Sequence, residues 1–154
     1  MATYTTGHSQ TYGTVIGQGG SRNLITQIMS VAMTTAMIDN ANDEVELCWV
    51  PKGAVIVGCQ LRGTDMDTNG SPALAFDVGD DSDEDRLLVA VTVGQAATRT
   101  DDLAATGFGY KYSTATKIKA FVQTAAGTAA AGTLYFQLTY FVDENFTLAN
   151  AVVS

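Results

Sequence analysis

The sharpest chemical pattern in the chain is Asp65-Met66-Asp67-Thr68-Asn69-Gly70. Alternating oxygen ligands of this kind open calcium loops, because Asp65, Asp67 and Asn69 can converge on one hard cation. An EF-hand would also need a bidentate Glu at its twelfth position, where this chain has Phe76. The alternative is a polar turn, in which Asp and Asn side chains accept hydrogen bonds from nearby backbone. The three residues are therefore weak metal candidates, and we expect no metal and no other cofactor.

Six further acids lie between Asp77 and Asp85, followed by Arg86. Carboxylates this close repel one another, and a cation or a basic partner would relieve the repulsion. The alternative is a solvated acidic loop, in which an exposed Arg86 would stabilise little.

The residues needed for nucleophilic or zinc chemistry are almost missing from this sequence. Its single histidine, His8, sits in a loose N-terminal stretch, and Cys48 and Cys59 form no ligand cluster. Paired carboxylates could still hydrolyse a glycosidic bond, which counting acids does not exclude. We nevertheless expect no catalytic residues and no enzyme activity.

Aromatic side chains offer a different kind of site. Trp49 and four tyrosines, Tyr110, Tyr112, Tyr135 and Tyr140, could form a platform that stacks on sugars. Such residues also commonly fill the core of a sandwich or a subunit interface. The sequence leaves both alternatives open.

The formal charge of −8 comes from sixteen acids and eight scattered bases. Phosphate binding needs clustered Lys or Arg, so nucleic acid and anionic membranes are poor partners and a basic surface is more plausible. The first residues show no secretory signal, and no apolar run is long enough to span a membrane. Two cysteines in a domain of this size make no disulfide framework, so we expect synthesis in a reducing cytoplasm.

Composition and alternation predict a β-protein, because 21 Thr and 14 Val suit pleated, half-buried surfaces. Residues 28–38 alternate at period 2, which favours a strand over the competing helix. In the next strand Val45, Leu47 and Trp49 form the apolar face, and Pro51-Lys52-Gly53 predicts a hairpin turn. The following strand places Val55, Val57, Cys59 and Leu61 on one face. That register separates Cys48 from Cys59, so no disulfide is expected.

The second half of the chain predicts further strands. They are ALAFDVG with Leu74, Phe76 and Val78 inward, a short FGYKY, KIKAFVQT over 117–124, and TLYFQLTYFVDE with Leu134, Phe136, Leu138, Tyr140 and Val142 on one face. DDSDEDR is predicted as an acidic loop, 95–107 as a loop or linking turn, and LLVAVTVG as a strand or a short helix. About eight strands with turns every eight to twelve residues favour an antiparallel β-sandwich or jelly-roll.

Residues 1–27 are rich in Thr, Gly and Gln, and Arg22 is their one charged side chain. We predict an extended N-terminal arm over 1–27 and a sandwich domain over 28–154. An arm with so little charge and with tyrosines suits contact with another surface, whereas the alternative is a frayed terminus. The predicted interface residues of the arm are Tyr4, Tyr12, Val15, Ile16, Arg22 and Leu24.

Two long stretches and the Gly-rich arm before them resemble a known family. The stretches are VPKGAVIVGCQLRGTDMDTNGSPALAFDVGDDSDEDR and GYKYSTATKIKAFVQTAAGTAAAGTLYFQLTYFVD. In the order of their turns and strand ends they resemble the decoration or cement proteins, small head proteins of tailed bacteriophages. The resemblance covers roughly residues 45–143 and includes no catalytic signature.

The resemblance implies a β-sandwich or jelly-roll that binds the outer surface of an icosahedral capsid. Its partner would be the major capsid protein, its oligomer often a trimer, and its role to cement neighbouring subunits against internal DNA pressure. It assigns no interface residues by position. The alternative function is a carbohydrate-binding or tail-associated adhesion module.

Overall fold

The computed structural model describes residues 1–4 and 24–143. In these residues the secondary structure is almost entirely β, with one 3-10 helix at Thr35–Met37 and no helix capable of crossing a membrane. The strands are β1 Thr3–Tyr4, β2 Ile25–Met33, β3 Glu44–Val50, β4 Ala54–Gly63, β5 Ala75–Asp80, β6 Asp83–Val91, β7 Arg99–Thr100, β8 Thr116–Thr124 and β9 Gly132–Val142. The predicted all-β class is confirmed.

The strands form two sheets that share one core. Sheet A has the order β1-β3-β8-β5-β6, and sheet B has the order β2-β9-β4-β7. Neighbouring strands are antiparallel, except that β1 runs parallel to β3, with Thr3 opposite Glu44. This is the antiparallel sandwich that the strand spacing predicts.

The core is built from the inward faces of both sheets. In β9 the alternate residues Leu134, Phe136, Leu138 and Tyr140 are buried as predicted, whereas Val142 is exposed at the end of the strand. The predicted inward set of β5, which contains Phe76, is also buried. β2 alternates as a strand, but the strand predicted over 28–38 ends at Met33, and the 3-10 helix occupies most of the remainder. Burying one such side chain stabilises the fold by about 1.5–3 kcal/mol.

The predicted hairpin at Pro51-Lys52-Gly53 is wrong in one respect. A turn is present there, and Gly53 has a φ of 83°, a conformation that glycine adopts without strain. However, β3 pairs with β8 in sheet A, whereas β4 pairs with β9 in sheet B. The turn therefore carries the chain from one sheet to the other.

Two irregularities correct the predicted faces of β3 and β4. The register of β3 shifts between Glu46 and Cys48, so Cys48 is buried and Trp49 faces outward. The register of β4 shifts between Ile56 and Gly58, so Ile56, rather than Val55, shares the core face with Cys59. A bulge inserts one extra residue and reverses which residues face the core beyond it.

The predicted acidic loop DDSDEDR is also wrong, because it forms a hairpin. Asp80 ends β5, Asp83 begins β6, and the two are opposite each other. The segment 87–94, left open between strand and helix, continues β6 as far as Val91. The short strand predicted for FGYKY is reduced to a single bridge between Lys111 and Val55.

The boundary of the predicted arm differs slightly in the structure. β2 begins at Ile25, three residues before the predicted start of the domain. Thr3 and Tyr4 form β1 at the edge of sheet A, where the backbone N–H of Ala2 donates to Asp43 at 2.8 Å. The rest of the predicted arm, residues 5–23, and the tail from 144 onward lie outside the described residues.

Candidate functional site

The outward face of sheet A carries a ladder of charges between β3 and β8. Lys119 Nζ lies 2.8 Å from Glu44 Oε2, and it also contacts the carboxylate of Asp81. Lys117 pairs with Glu46 in the next outward position. Burial would lower the pKa of Lys119, but its two carboxylate partners raise it above the usual range, so the ammonium stays charged.

A second polar cluster lies at the turn between β5 and β6. Asp80 continues the even spacing of Phe76 and Val78 and is buried. It accepts hydrogen bonds from Arg86 Nε at 2.7 Å, from the Tyr112 hydroxyl at 3.0 Å and from the Ser82 backbone N–H at 2.9 Å. Burial alone would raise the pKa of Asp80, but the Ser82 hydroxyl, which also donates to its carboxylate, and these three donors lower it below its usual range.

Two tyrosines connect this cluster to sheet B. The guanidinium of Arg86 lies 3.8 Å from the ring centre of Tyr110, which meets Tyr112 edge to face at 5.0 Å. The segment that carries both rings runs along β4, where the Tyr112 N–H donates to Ala54 at 2.9 Å. The cluster therefore links the two sheets at one end of the core.

An open groove of about 490 Å³ lies between the ladder and this cluster. Its aromatic lining includes Trp49, which is 46% exposed, and Lys117 Nζ lies 5.3 Å from the centre of that ring. Apart from the aromatic residues the lining is mostly polar, from residues 80–82, 113–117 and 119. Because Asp80 is held ionised, it is poorly suited to general acid catalysis. The groove is better suited to polar recognition than to a reaction.

The one acid of this region with a raised pKa is on the hairpin. Asp83 shares a hydrogen bond with Asp85, and this contact raises the pKa of the Asp83 carboxyl. Asp83 also lies 3.3 Å from an Arg86 guanidinium nitrogen. The acids of the run are thus partly compensated within the hairpin, and Arg86 provides most of that compensation from a buried position.

The weak metal candidates lie in a series of backbone-capping turns. The Asp67 N–H donates to Asp65, the Asn69 N–H to Asp67, and the Ser71 N–H to the side chain of Asn69. Asp67 is buried, and its carboxylate accepts five backbone N–H groups, from Asn69, Ala73, Leu74, Gly127 and Thr128.

These donors occupy the positions around Asp67 that a cation would need. Burial would raise the pKa of Asp67, but the backbone N–H groups hold it well below its usual range. Among residues 1–4 and 24–143 no group of three His, Cys, Asp or Glu side chains could hold a metal. The geometry favours the polar-turn alternative for Asp65, Asp67 and Asn69.

The predicted arm residues are only partly described. Tyr4 lies in β1, opposite Val45, and Leu24 precedes β2 with its side chain 52% exposed. Tyr12, Val15, Ile16 and Arg22 lie outside the described residues. The predicted interface therefore stays a prediction.

Sequence reasoning missed the charge ladder and the Asp80 cluster. The signal for the ladder was present, because Glu44 and Glu46 alternate in one strand as Lys117 and Lys119 do in another. It becomes useful only once β3 and β8 are known to be neighbours. The Tyr112 contact with Asp80 joins residues 32 positions apart and has no local signal.

No protein-family model matches the chain, and no curated protein matches it. Several solved structures, in contrast, are similar to the chain. A chain of the cyanophage Pam1 capsid asymmetric unit has a TM-score of 0.72 and 30% identity, covering 90% of this chain and 98% of that one. A chain of the capsid of Ralstonia phage GP4 has a TM-score of 0.68 and 25% identity, covering 85% and 91%.

A third structure, the acidic stable capsid of Helicobacter pylori bacteriophage KHP30, is similar in fold alone. Its chain has a TM-score of 0.50 and 16% identity, covering 79% of this chain and 94% of that one. All three similarities extend over most of both chains, so they concern the whole sandwich and not one local motif.

Proposed function

Because this chain belongs to a family of bacteriophage capsid proteins, we propose that it binds the outside of an icosahedral shell and cements neighbouring subunits there. Its similarity to the Pam1 and GP4 capsid chains indicates that it is a structural protein of a phage virion. The cementing role on the outer surface is supported by the resemblance of residues 45–143 to decoration proteins. Its partner would be the major capsid protein.

The chemistry of the sandwich supports a structural role without catalysis. Asp80, Lys119 and Asp67 are all buried and committed to partners within the chain. These contacts fix the loops and join the sheets, and they leave none of these three ionised groups in position to activate a nucleophile. A rigid scaffold of this kind can be held under mechanical load, which cementing requires.

We propose that the N-terminal arm contributes to the contact with the shell. It enters the sandwich at Leu24, beside the edge strand β2, and it contains the predicted contact residues Tyr12 and Ile16. A trimer would present three arms to the shell, and weak contacts repeated around a symmetric oligomer gain avidity through effective concentration. The net charge of −8 would keep the free protein soluble and discourage binding to packaged DNA.

The proposal is tested by co-sedimentation with shells assembled from the major capsid protein of the same phage. The full chain is expected to sediment with the shells at saturable stoichiometry, and mass spectrometry is expected to find it in purified virions. A chain that stays in the supernatant and is absent from virions would overturn the proposal.

The contribution of the arm needs a matched pair of deletions. Removing residues 1–20 also removes β1, so a second variant lacks residues 1–4 only. We expect the longer deletion to lose most shell occupancy. The shorter one removes Tyr4 but keeps Tyr12, Val15 and Ile16, so it should lose much less, with circular dichroism reporting an intact sandwich in both. Equal shell occupancy for the two deletion variants and the full chain would show that the arm does not contribute to binding.

A second candidate function is supported by the groove beside Trp49. A half-exposed indole next to hydrogen-bonding carboxylates and hydroxyls is an arrangement that can stack on and orient a sugar ring. An adhesion module would bind a glycan, and Trp49→Ala would abolish that binding. A glycan array without a hit for the full chain would count against this candidate.

A further inference from the structure

The charges of this protein are divided between its two sheets. The strands of sheet A contain seven acids, whereas the four strands of sheet B contain none. In β2, β4 and β9 the single charged residue is Arg62. This division is unexpected for a chain with a net charge of −8, because a sheet face left in water usually carries charged side chains.

The outward face of sheet B is nevertheless accessible and partly apolar. Ile28 is 73% exposed, and its neighbours across β9 and β4 are Gln137 and Gln60. One row further, Tyr135 is 43% exposed, with the Arg62 guanidinium 5.5 Å from its ring centre. Arg62, the one charge that β2, β9 and β4 contribute to this face, is thus held over an aromatic ring. At the β4 edge, β7 adds a second charge, Arg99, which lies opposite Arg62 and is exposed.

Hydroxyl groups complete the same face. Thr26 and Thr139 lie opposite each other, and their side-chain oxygens are 3.1 Å apart. Hydroxyls, amides and aliphatic groups cost little to remove from water when a partner supplies hydrogen bonds, whereas unpaired charges cost much more. The composition is that of a surface suited to burial in an assembly.

On this basis we propose that the outward face of β2, β9 and β4 is the surface that contacts the capsid shell. The partner is an uncharged region of a shell subunit, rich in hydroxyl, amide and apolar groups. This inference rests on the proposed function and adds the orientation of the sandwich. Sheet A, with its acids and its groove, would face away from the shell.

The size of the face argues for the shell instead of a second copy of this chain. Three strands about 4.8 Å apart and about nine residues long, at about 3.3 Å each, outline roughly 14 by 30 Å, or about 400 Å². Stable pairs of proteins usually bury about 800 Å² per partner. A face of this size gives a weak contact that persists when many copies bind the same shell.

The test is to introduce one acid into each sheet at comparable sites. Ile28→Asp places a charge on the proposed contact face, and the matched control Val89→Asp does so on β6 of sheet A, where Val89 is 51% exposed. We expect Ile28→Asp to weaken binding to major-capsid-protein shells at least about tenfold, and Val89→Asp to leave it within about twofold. Thermal unfolding checks that both variants are folded.

The outcomes separate this inference from the proposed function. If the unaltered chain binds shells and Ile28→Asp binds equally well, the orientation is wrong and the cementing role stands. If Ile28→Asp instead dissociates an oligomer of the free protein in size-exclusion chromatography, the face joins copies of this chain and the proposal is overturned. If the unaltered chain does not bind, the proposed function fails, and this inference with it.

Discussion

Arg86 donates a hydrogen bond from Nε to Oδ2 of Asp80 over 2.7 Å, and both side chains are nearly fully buried. This pair spans the tight turn between β5 and β6. Asp80 is buried because it continues the inward face of β5, and Arg86 brings the compensating charge to it from β6. A sequence that reads as a solvated acidic loop therefore folds as a hairpin closed by one internal ion pair.

We expect Arg86→Met to destabilise the protein by about 3–5 kcal/mol, because it leaves Asp80 buried without its cation. Asp80→Asn alone should lower the free energy of unfolding by less than Arg86→Met does. The double variant should lower it by less than the sum of the two single effects. Urea unfolding of the four proteins measures this coupling. Strictly additive costs would show that the two residues act independently.

The alternation in the sequence was sufficient to predict most of the sandwich. Period-2 patterns such as Leu134 to Tyr140 identify a strand and its buried face together, because each strand has one face on the core. The pattern fails where a bulge shifts the register, as it does before Trp49 and before Gly58. An extra residue leaves no reliable mark in the sequence, since both phases of β4 are apolar.

The pairing of strands could not be predicted from local signals. Pro51-Lys52-Gly53 has the composition of a hairpin turn, but the same turn can carry the chain between two sheets. Whether this turn closes a hairpin or joins two sheets depends on the long-range pairing of β3 with β8 and of β4 with β9. The groove beside Trp49 was hidden for the same reason, because its walls come from three separate parts of the sequence.

The five N–H donors around Asp67 predict a loss of stability in acid. The pKa of Asp67 is lower in the folded protein than in the unfolded chain, where an aspartate titrates at about pH 3.9. The ionised form therefore stabilises the fold fully above about pH 5, and this contribution is lost progressively as the pH falls through the unfolded-state pKa toward the lower folded-state pKa. Urea midpoints measured from about pH 6 down to about pH 2 should decline most steeply at the acid end.

Asp67→Asn tests the origin of that decline, and Asp65→Asn is its matched control. The amide that this substitution introduces cannot replace an oxygen that accepts three backbone N–H groups, so we expect a cost of at least about 3 kcal/mol and a shallower acid decline. Asp65 is exposed and accepts one long hydrogen bond, so its variant should stay within about 0.5 kcal/mol of the parent. If Asp67→Asn does not fold, carbon-13 titration of the parent's Asp67 carboxyl measures the lowered pKa directly.

Gly79 is required by the close approach of the two strands in the acidic hairpin. A Cβ at this position would lie 2.1 Å from the Asp83 carbonyl oxygen and 2.7 Å from the backbone of Glu84. Because the obstacle is backbone, which cannot rotate away, Gly79→Ala should destabilise the fold by about 1–3 kcal/mol. At Gly70 a Cβ would meet nothing within 4 Å, so Gly70→Ala should be nearly neutral. Equal melting temperatures for the two variants would contradict the close approach.

The two cysteines should be inert in the native protein and reactive after unfolding. Both are buried free thiols, and burial raises the pKa of Cys48 to about 12 and that of Cys59 further, with Cys48 nearby adding to the second shift. At about pH 8 only about one Cys48 thiol in ten thousand would be ionised, and the thiolate is the reactive form. A chromogenic disulfide reagent should therefore modify neither residue until denaturant is added, and should then titrate both. Rapid modification without denaturant would mean that the core opens locally, at a free-energy cost well below that of global unfolding.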